Sequence, residues 1–292
     1  MEIRSINMIS FRNHEKTKMS FDPGITIIWG ENGSGKTSVL EAIHSLSFGS
    51  SFRTKNRREL IKNGSNNFLI EGFFKSKNGI KNNVLFSQDI KGNKKIKINK
   101  KEIYKRRDLL GLNNVVVFSP EEEPITKDGP KNRRNFFDKV FSIVSKNYLE
   151  ELLAYNSILQ QRNAILKLHS KKKINQQIEI WNGPFVEKAE KLWKERRKLI
   201  ASFLDVFKET VRALDLGTEC DIYYDKNEKS KKEILKNLEK TKNKELKVGF
   251  TTVGPHKDEF VFKWGGRTIR KHGSQGEHKM FLALLKTTEL LF

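Results

Sequence analysis

The 292-residue chain holds a single cysteine, Cys220, which excludes an internal disulfide and any disulfide-stapled scaffold. Between Glu219 and Asp221, that thiol reads as an inert strand residue. No apolar run approaches the roughly 18 residues a membrane span requires. The N-terminus, Met1-Glu2-Ile3-Arg4-Ser5, puts charge where a secretory signal needs apolar length. These absences predict a soluble, cytoplasmic protein with no membrane partner. Acidic residues are also scarce: 35 Asp and Glu stand against 57 Lys and Arg, for a formal net charge of +22. That imbalance points to polyanions, either nucleic acid or an anionic surface. Much of it is Lys beside Asn, as in the stretch from Lys91 to Lys101. Codon bias in an AT-rich genome produces the same surface, so charge leaves both sources open.

What the chain does contain is Gly30-Glu31-Asn32-Gly33-Ser34-Gly35-Lys36-Thr37, a complete G-x-x-x-x-G-K-[ST] phosphate-binding loop. In front of it, Gly24 to Trp29 reads as a buried strand. Behind it, Val39, Ala42, Ile43 and Leu46 fall on one face of a helix. A glycine-rich turn into a helix N-terminus is an anion site, because free backbone N–H groups and the helix dipole both favour negative charge. Lys36 is expected to reach the β- and γ-phosphates of ATP, and Thr37 to place its hydroxyl on Mg²⁺. Asn32, Gly33 and Gly35 supply turn geometry and backbone donors, within a cofactor-binding segment that runs from Gly30 through Glu31 and Ser34 to Thr37.

Along the chain, Met1 to Ser119 reads as short strands around one helix. The strands are predicted at Glu2–Phe11, Lys16–Phe21, Gly24–Trp29, Asn67–Phe74, Asn83–Phe86 and Lys95–Ile98. Asn114–Phe118 is a β-branched run typical of a central strand buried on both faces. From Asn132 to Leu216 the pattern turns helical. Val186, Trp193, Ile200, Phe207 and Leu214 recur every seven residues, with Ala189 and Phe203 between them. Leu149, Leu152, Leu153, Leu159 and Leu166 form an earlier stripe. With a solvated turn at His169–Lys173 between the stripes, this predicts an antiparallel helical hairpin in which Trp193 and its neighbours pack. Cys220–Tyr224 returns to strand, and Asp225–Lys247 reads as a charged, lysine-rich helix or loop in solvent. Phe260–Trp264 and Arg267–Arg270 form a hairpin around Gly265-Gly266. A final helix begins near Ser274 and is apolar almost all round, which suits an interior.

Gly273-Ser274-Gln275-Gly276-Glu277-His278 opens that helix, where Ser caps and free N–H groups make a second anion site. Beside a phosphate loop it resembles the signature motif of ATP-binding-cassette ATPases, although Gln275 and Glu277 depart from the usual residues. Further motifs appear in a fixed order: Phe11-Arg12-Asn13, Phe118-Ser119-Pro120-Glu121-Glu122, Gly129-Pro130, Arg133-Arg134, Phe136-Phe137-Asp138 and Gly254-Pro255-His256-Lys257-Asp258. Together, from Met1 to Phe292, they are similar to the RecF family of recombination-mediator ATPases, relatives of SMC heads.

The resemblance implies an α/β fold: an ABC/SMC-like P-loop ATPase head with an antiparallel β subdomain and an inserted helical domain. The head is expected in residues 1–125 and 217–292, and the helical hairpin in 126–216. It also implies binding of ATP and Mg²⁺, an ATP-dependent homodimer, binding to duplex or gapped DNA, and work with RecO and RecR in loading recombinase at single-strand gaps. Arg12 is implied as a phosphate or adenine neighbour, and Ser274 and Gly276 as contacts to the partner's nucleotide. Glu121 is either a water-mediated Mg²⁺ contact or an ordinary helix-start acid. His256 and Asp258 are either turn residues or functional ones. Arg267, Arg270, Lys271 and His272 either meet nucleotide or DNA or are merely solvated. The family continues past the signature helix into a Walker B segment with the acid that activates water. A chain ending at Phe292 is therefore expected to be a fragment or a truncation that grips ATP and hydrolyses it poorly, so no catalytic residue is assigned. Two other readings use the same loop: an SMC-like structural head, disfavoured by the short arm, and a small-molecule kinase, in which Gly254–Asp258 and the second anion site have no place.

Overall fold

The computed structural model describes residues 1–76, 78–168, 171–225 and 230–292, with the side chains of 106 and 171–176 outside the description. The chain divides into two compact units, Met1–Val117 and Phe118–Phe292. Compactness thus groups residues 217–292 with the helices of 126–216, where the sequence reading drew a boundary at 216/217.

The first unit is built on antiparallel strands β1 (Glu2–Phe11), β2 (His14–Ser20), β3 (Asn67–Lys75), β4 (Lys81–Asp89), β5 (Lys94–Ile98) and β6 (Lys101–Ile103). Their order in the sheet is β2-β1-β3-β4-β5-β6. Alternation sends Ile6, Met8, Phe68, Ile70, Phe74, Val84, Phe86 and Ile96 to one buried face. Helix α1 (Lys36–Phe48) covers that face with Val39, Ala42 and Leu46. Strands β1 to β5 and helix α1 match the sequence reading, with boundaries shifted by a few residues, and β6 is an addition to it.

Two expected strands are absent. Gly24–Trp29 and Asn114–Phe118 pair with no strand among the described residues. In the first, Ile25 is 94% and Trp29 88% exposed; in the second, Phe118 is 59% exposed. Their hydrophobic runs have the composition of central strands, but a strand exists only with a neighbour for its backbone N–H and C=O groups. The six paired strands offer them none.

The second unit comprises α2 (Pro124–Lys127), α3 (Pro130–Val144), α4 (Lys146–Leu166), α5 (Lys171–Leu214), α6 (Lys231–Val248), α7 (Ile269–His272) and α8 (Gln275–Leu291). With them is a three-stranded sheet of β7 (Cys220–Asp225), β8 (Glu259–Trp264) and β9 (Arg267–Thr268). Helices α4 and α5 run antiparallel, as shown by the pairings of Arg162 with Asn182, Glu151 with Lys188, and Tyr148 with Arg196. His169 and Ser170, at the expected turn, lie outside the described residues, as do the side chains of Lys171–Lys173. On α5 the seven-residue series is buried through Phe207, while Leu214, at the helix end, is 48% exposed.

On α4 the reading needs correction. Of the predicted stripe, Leu166 is buried and Leu152 and Leu159 pack on the core, but Leu153 is exposed, and the buried face also carries Tyr148, Tyr155 and Arg162, again seven residues apart. These amphipathic side chains bury their bodies because partners await their polar tips. Of the helix or loop expected after Asp225, Lys231–Val248 is the helix α6, and it is not wholly solvated, since it buries Ile234 and Leu238. Aromatic rings fill the core: Phe137 stacks on Phe260 with centroids 4.0 Å apart, and Phe262 on Phe281 at 5.0 Å. Helix α8 buries Phe281, Leu282, Leu284 and Leu285 but exposes Leu290 and Leu291. Among the described residues, no helix is long and apolar enough to cross a membrane.

Candidate nucleotide site

The phosphate loop leads straight into α1, with Gly35 at the N-cap in a left-handed conformation (φ 97°). A Cβ there would sit 2.5 Å from Nε2 of His14 and 2.7 Å from Oδ1 of Asn13, so both backbone and space require glycine. The β1–β2 turn holds the loop from behind. Asn13 Nδ2 donates to the Gly33 carbonyl at 3.0 Å, and His14 Nε2 lies 3.2 Å from the Gly35 carbonyl. The loop closes on itself through Ser34 N–H to the Glu31 carbonyl at 3.2 Å. The N–H groups of Gly33, Gly35, Lys36 and Thr37 take no acceptor among the described residues. Lys36 curls over the loop, its Nζ donating to the carbonyls of Gly30 at 2.8 Å and Glu31 at 2.6 Å.

A cleft of about 960 Å³ opens here, lined by Asn32, Gly33, Gly35, Lys36 and Thr37, by Arg12, and by Arg53, Asn56, Arg58 and Lys62. Five of those residues are cationic. Sequence reasoning located the loop and Arg12 but missed the wall from Arg53 to Lys62, which carries no motif and reaches the cleft only through folding.

Arg12 lines the cleft, yet most of its hydrogen-bonding capacity is already committed. Its Nε and Nη2 form a two-pronged pair with the buried Glu41 at 2.8 and 2.7 Å, and Nη1 donates to the Glu59 carbonyl at 2.8 Å. Arg53 and the Ser51 hydroxyl also meet Glu41. Glu41 was not singled out from sequence; from the middle of α1 it ties the β1–β2 turn to the Arg53–Lys62 wall. Arg12 is thereby rigid, a property suited to positioning an anion.

Ser274 and Gly276 belong to the second unit, Lys36 to the first. Ser274 caps α8 in a reciprocal capping box: its Oγ accepts from Glu277 N–H at 3.3 Å and Glu277 Oε2 accepts from Ser274 N–H at 2.6 Å. The Gln275 side chain accepts from Lys127 at 2.8 Å. A Cβ at Gly276 would meet nothing closer than 4.0 Å, leaving the first turn open to an incoming group. Glu121 lies at the exposed start of a short 3₁₀ turn, Pro120–Glu122. Among the described residues, no three His, Cys, Asp or Glu side chains gather to hold a metal.

Gly254–Asp258 proves to be an interior hub. Asp258 is fully buried and accepts from Trp193 Nε1 at 2.9 Å, Arg196 Nη1 at 2.7 Å and the Tyr224 hydroxyl at 2.5 Å. His256 Nε2 lies 2.9 Å from the Thr251 carbonyl, which only accepts, so that nitrogen carries the proton and Nδ1 accepts from the Tyr155 hydroxyl at 2.5 Å. Burial, aided by the nearby cations Lys257, Arg134 and Arg162, pushes the His256 pKa down to about 4 from 6.5. The folded state therefore disfavours the proton, and the unfolded chain binds more protons between pH 6.5 and 4. Stability from His256 is present above pH 6.5 and is lost as pH falls towards 4, by about 3 kcal/mol in full. His256→Gln is expected to flatten this part of the pH profile, read by denaturant unfolding at pH 7 and pH 4.5. Equal slopes in variant and parent would refute the assignment.

Comparison with known proteins bears on the site as a whole. The AAA domain pattern matches residues 5–247. The DNA replication and repair protein RecF of Leptospira interrogans is 35% identical over 290 residues, 98% of this chain and 78% of that protein. This chain belongs to the RecF family. A solved structure of the recombination mediator RecF with ATP, from the RecFOR pathway, matches with a TM-score of 0.89 at 30% identity, covering 99% of this chain and 80% of that one. The Smc head domain of Pyrococcus furiosus, at 15% identity, matches with a TM-score of 0.54 over 99% of this chain and 78% of that one, and so shares the fold. The RecF-family chain thus has the ABC/SMC-like α/β ATPase fold, with its antiparallel sheet and its helical part.

Proposed function

We propose that this chain binds ATP with Mg²⁺ in the cleft of the first unit, and that ATP joins two copies into a DNA-bound assembly serving recombinational repair in the cytoplasm. The observation that carries this reading is the set of four N–H groups, from Gly33 to Thr37, without acceptors among the described residues, beside the Lys36 ammonium. The Gly30 and Glu31 carbonyls hold that ammonium over the loop, where a phosphate would take their place as its acceptor. In this role the segment Gly30, Glu31, Asn32, Gly33, Ser34 and Gly35 wraps the phosphates and Lys36 neutralises them. Thr37 offers its hydroxyl to Mg²⁺. The ion comes with the nucleotide, since Mg²⁺ is usually held by few protein ligands together with substrate phosphates, whose charge it offsets. Arg12, locked by Glu41, orients the nucleotide.

Residues 1–125 and 217–292 then serve as one ATPase head, and Ser274 and Gly276 of one copy complete the ATP site of the other. The named relatives and the excess of 57 basic over 35 acidic residues support DNA as the polyanion, with RecO and RecR as co-workers in recombinase loading.

Ser274→Arg tests the shared site. The variant is expected to bind nucleotide as the parent does, because its own cleft is untouched, yet to stay monomeric at saturating ATP analogue, because a bulky cation occupies the contact surface. Sedimentation velocity with and without a non-hydrolysable analogue reads both. A parent that does not dimerise, or a variant that dimerises equally well, sinks the shared-site reading.

A further inference from the structure

A second cavity, of about 300 Å³, lies wholly within the second unit. Its wall includes Arg133 of α3, Glu259 of β8, Arg270 and Lys271 of α7, and the hydroxyl residues Thr126 and Thr268. Arg133 is 3% exposed and lies over the Phe262 ring, its guanidinium carbon 5.7 Å from the ring centroid. Its Nη1 donates to the Asp128 carbonyl at 2.7 Å and its Nη2 to Glu259 Oε1 at 3.0 Å, but its buried Nε–H has no acceptor among the described residues. A buried donor on a charged group is rarely left this way, because nothing repays its lost hydration.

Arg270 and Lys271 are exposed and have no hydrogen bond or ion pair among the described residues. Three cations therefore line the cavity against one carboxylate, and that carboxylate already pairs with Arg133.

We propose that this cavity is a binding site for a phosphate oxyanion, separate from the nucleotide cleft. A tetrahedral phosphate has acceptors enough for the two rim cations and the Thr268 hydroxyl, and for Arg133 once its guanidinium turns the solvent-closed Nε–H towards the cavity. A neutral ligand would leave the two rim charges uncompensated, and a cation would add to them. The site also has a route to the shared nucleotide surface. Helix α7 carries Arg270 and Lys271 and runs through Gly273 directly into Ser274, the cap of α8. That connection is tight: Gly273 N–H donates to the Ile269 carbonyl at 2.7 Å, and a Cβ at Gly273 would lie 2.6 Å from Ile269. An anion that fixes α7 thereby fixes the start of the signature helix.

The phosphate has two possible sources, a free phosphate compound or the phosphodiester backbone of DNA. The first arm of the test titrates the full chain with inorganic phosphate and follows the Arg133 Nε–H resonance, assigned by its loss in Arg133→Lys. The resonance is expected to shift saturably, and Arg270→Glu with Lys271→Glu to weaken the phosphate affinity at least about tenfold. Circular dichroism checks that the double variant is folded, and the milder Arg270→Ala with Lys271→Ala stands in if it is not. No saturable shift, or the same affinity in a folded double variant, overturns the proposal.

The second arm measures duplex DNA binding against salt for the parent and the double alanine variant. A drop of about two in the log–log slope, with DNA displacing phosphate from Arg133, identifies the backbone as the source. Phosphate binding with an unchanged slope identifies a free phosphate compound. A parent that binds no DNA would count against the DNA part of the proposed function, while the first arm still decides the cavity.

Discussion

Lys36→Ala is expected to reduce ATP affinity by on the order of a thousandfold. The Nζ group now donates to two backbone carbonyls of its own loop, at 2.8 and 2.6 Å, and so lies at the mouth of the anion site without a charged acceptor. Phosphate oxygens replace neutral carbonyls as acceptors, and each charge-assisted hydrogen bond contributes about 1.5–3 kcal/mol. Two such bonds amount to about 4 kcal/mol, or roughly three decades in affinity. The unliganded fold should barely change, because the side chain lies on the exposed surface of the loop and holds up no core. A fluorescent ATP analogue titrated into parent and variant measures the effect, with thermal unfolding of both as the control. Binding within a few-fold of the parent would show that the loop is not the nucleotide site.

Asp258→Ala is expected to be the most damaging single substitution for stability, at about 3–5 kcal/mol. The carboxylate is fully buried and is the common acceptor for Trp193, Arg196 and Tyr224. Removing it leaves the Arg196 guanidinium, 1% exposed, with Asp138, Tyr148 and the Pro255 carbonyl as its remaining partners. The Trp193 and Tyr224 donors are left dry and unpaired. In a unit of this size the loss corresponds to a fall in Tm on the order of 10 °C. Asp258→Asn, which retains an acceptor, should lose less. A Tm within 2 °C of the parent for Asp258→Ala, outside the roughly 2–4 °C expected per kcal/mol, would mean that the hub contributes little net energy.

The same residues show where sequence reasoning stopped. The hub residues were visible as a motif, Gly254 to Asp258, but its meaning was open. Asp258 meets partners 34 to 65 positions away, on β7 and α5, and no spacing rule links them. Tyr148, Tyr155 and Arg162 repeat every seven residues on α4, yet a search for leucine at that spacing passed over them. Their burial depends on the polar groups that receive their tips. Gly24–Trp29 and Asn114–Phe118 failed in the opposite sense: the apolar runs were there, and among the described residues the neighbouring strands they require were not.

The amino-acid order alone determined the phosphate loop, since glycine at the left-handed Gly35, a lysine and a threonine suffice locally to build an anion site. It also determined the meander of β3 to β5 and the α4–α5 hairpin, whose periodicities of two and seven are properties of short windows. Only the tertiary structure decided that Glu41 locks Arg12, that Arg53 to Lys62 line the cleft, and that Arg133, whose Nε–H has no acceptor among the described residues, lines one cavity with Arg270 and Lys271. Each of these depends on charged groups far apart in the chain being brought together, some buried, as Glu41 and Arg133 are, and some at the rim, as Arg270 and Lys271 are. The gain or cost of such a meeting is set by burial and distance, which the order of residues does not record.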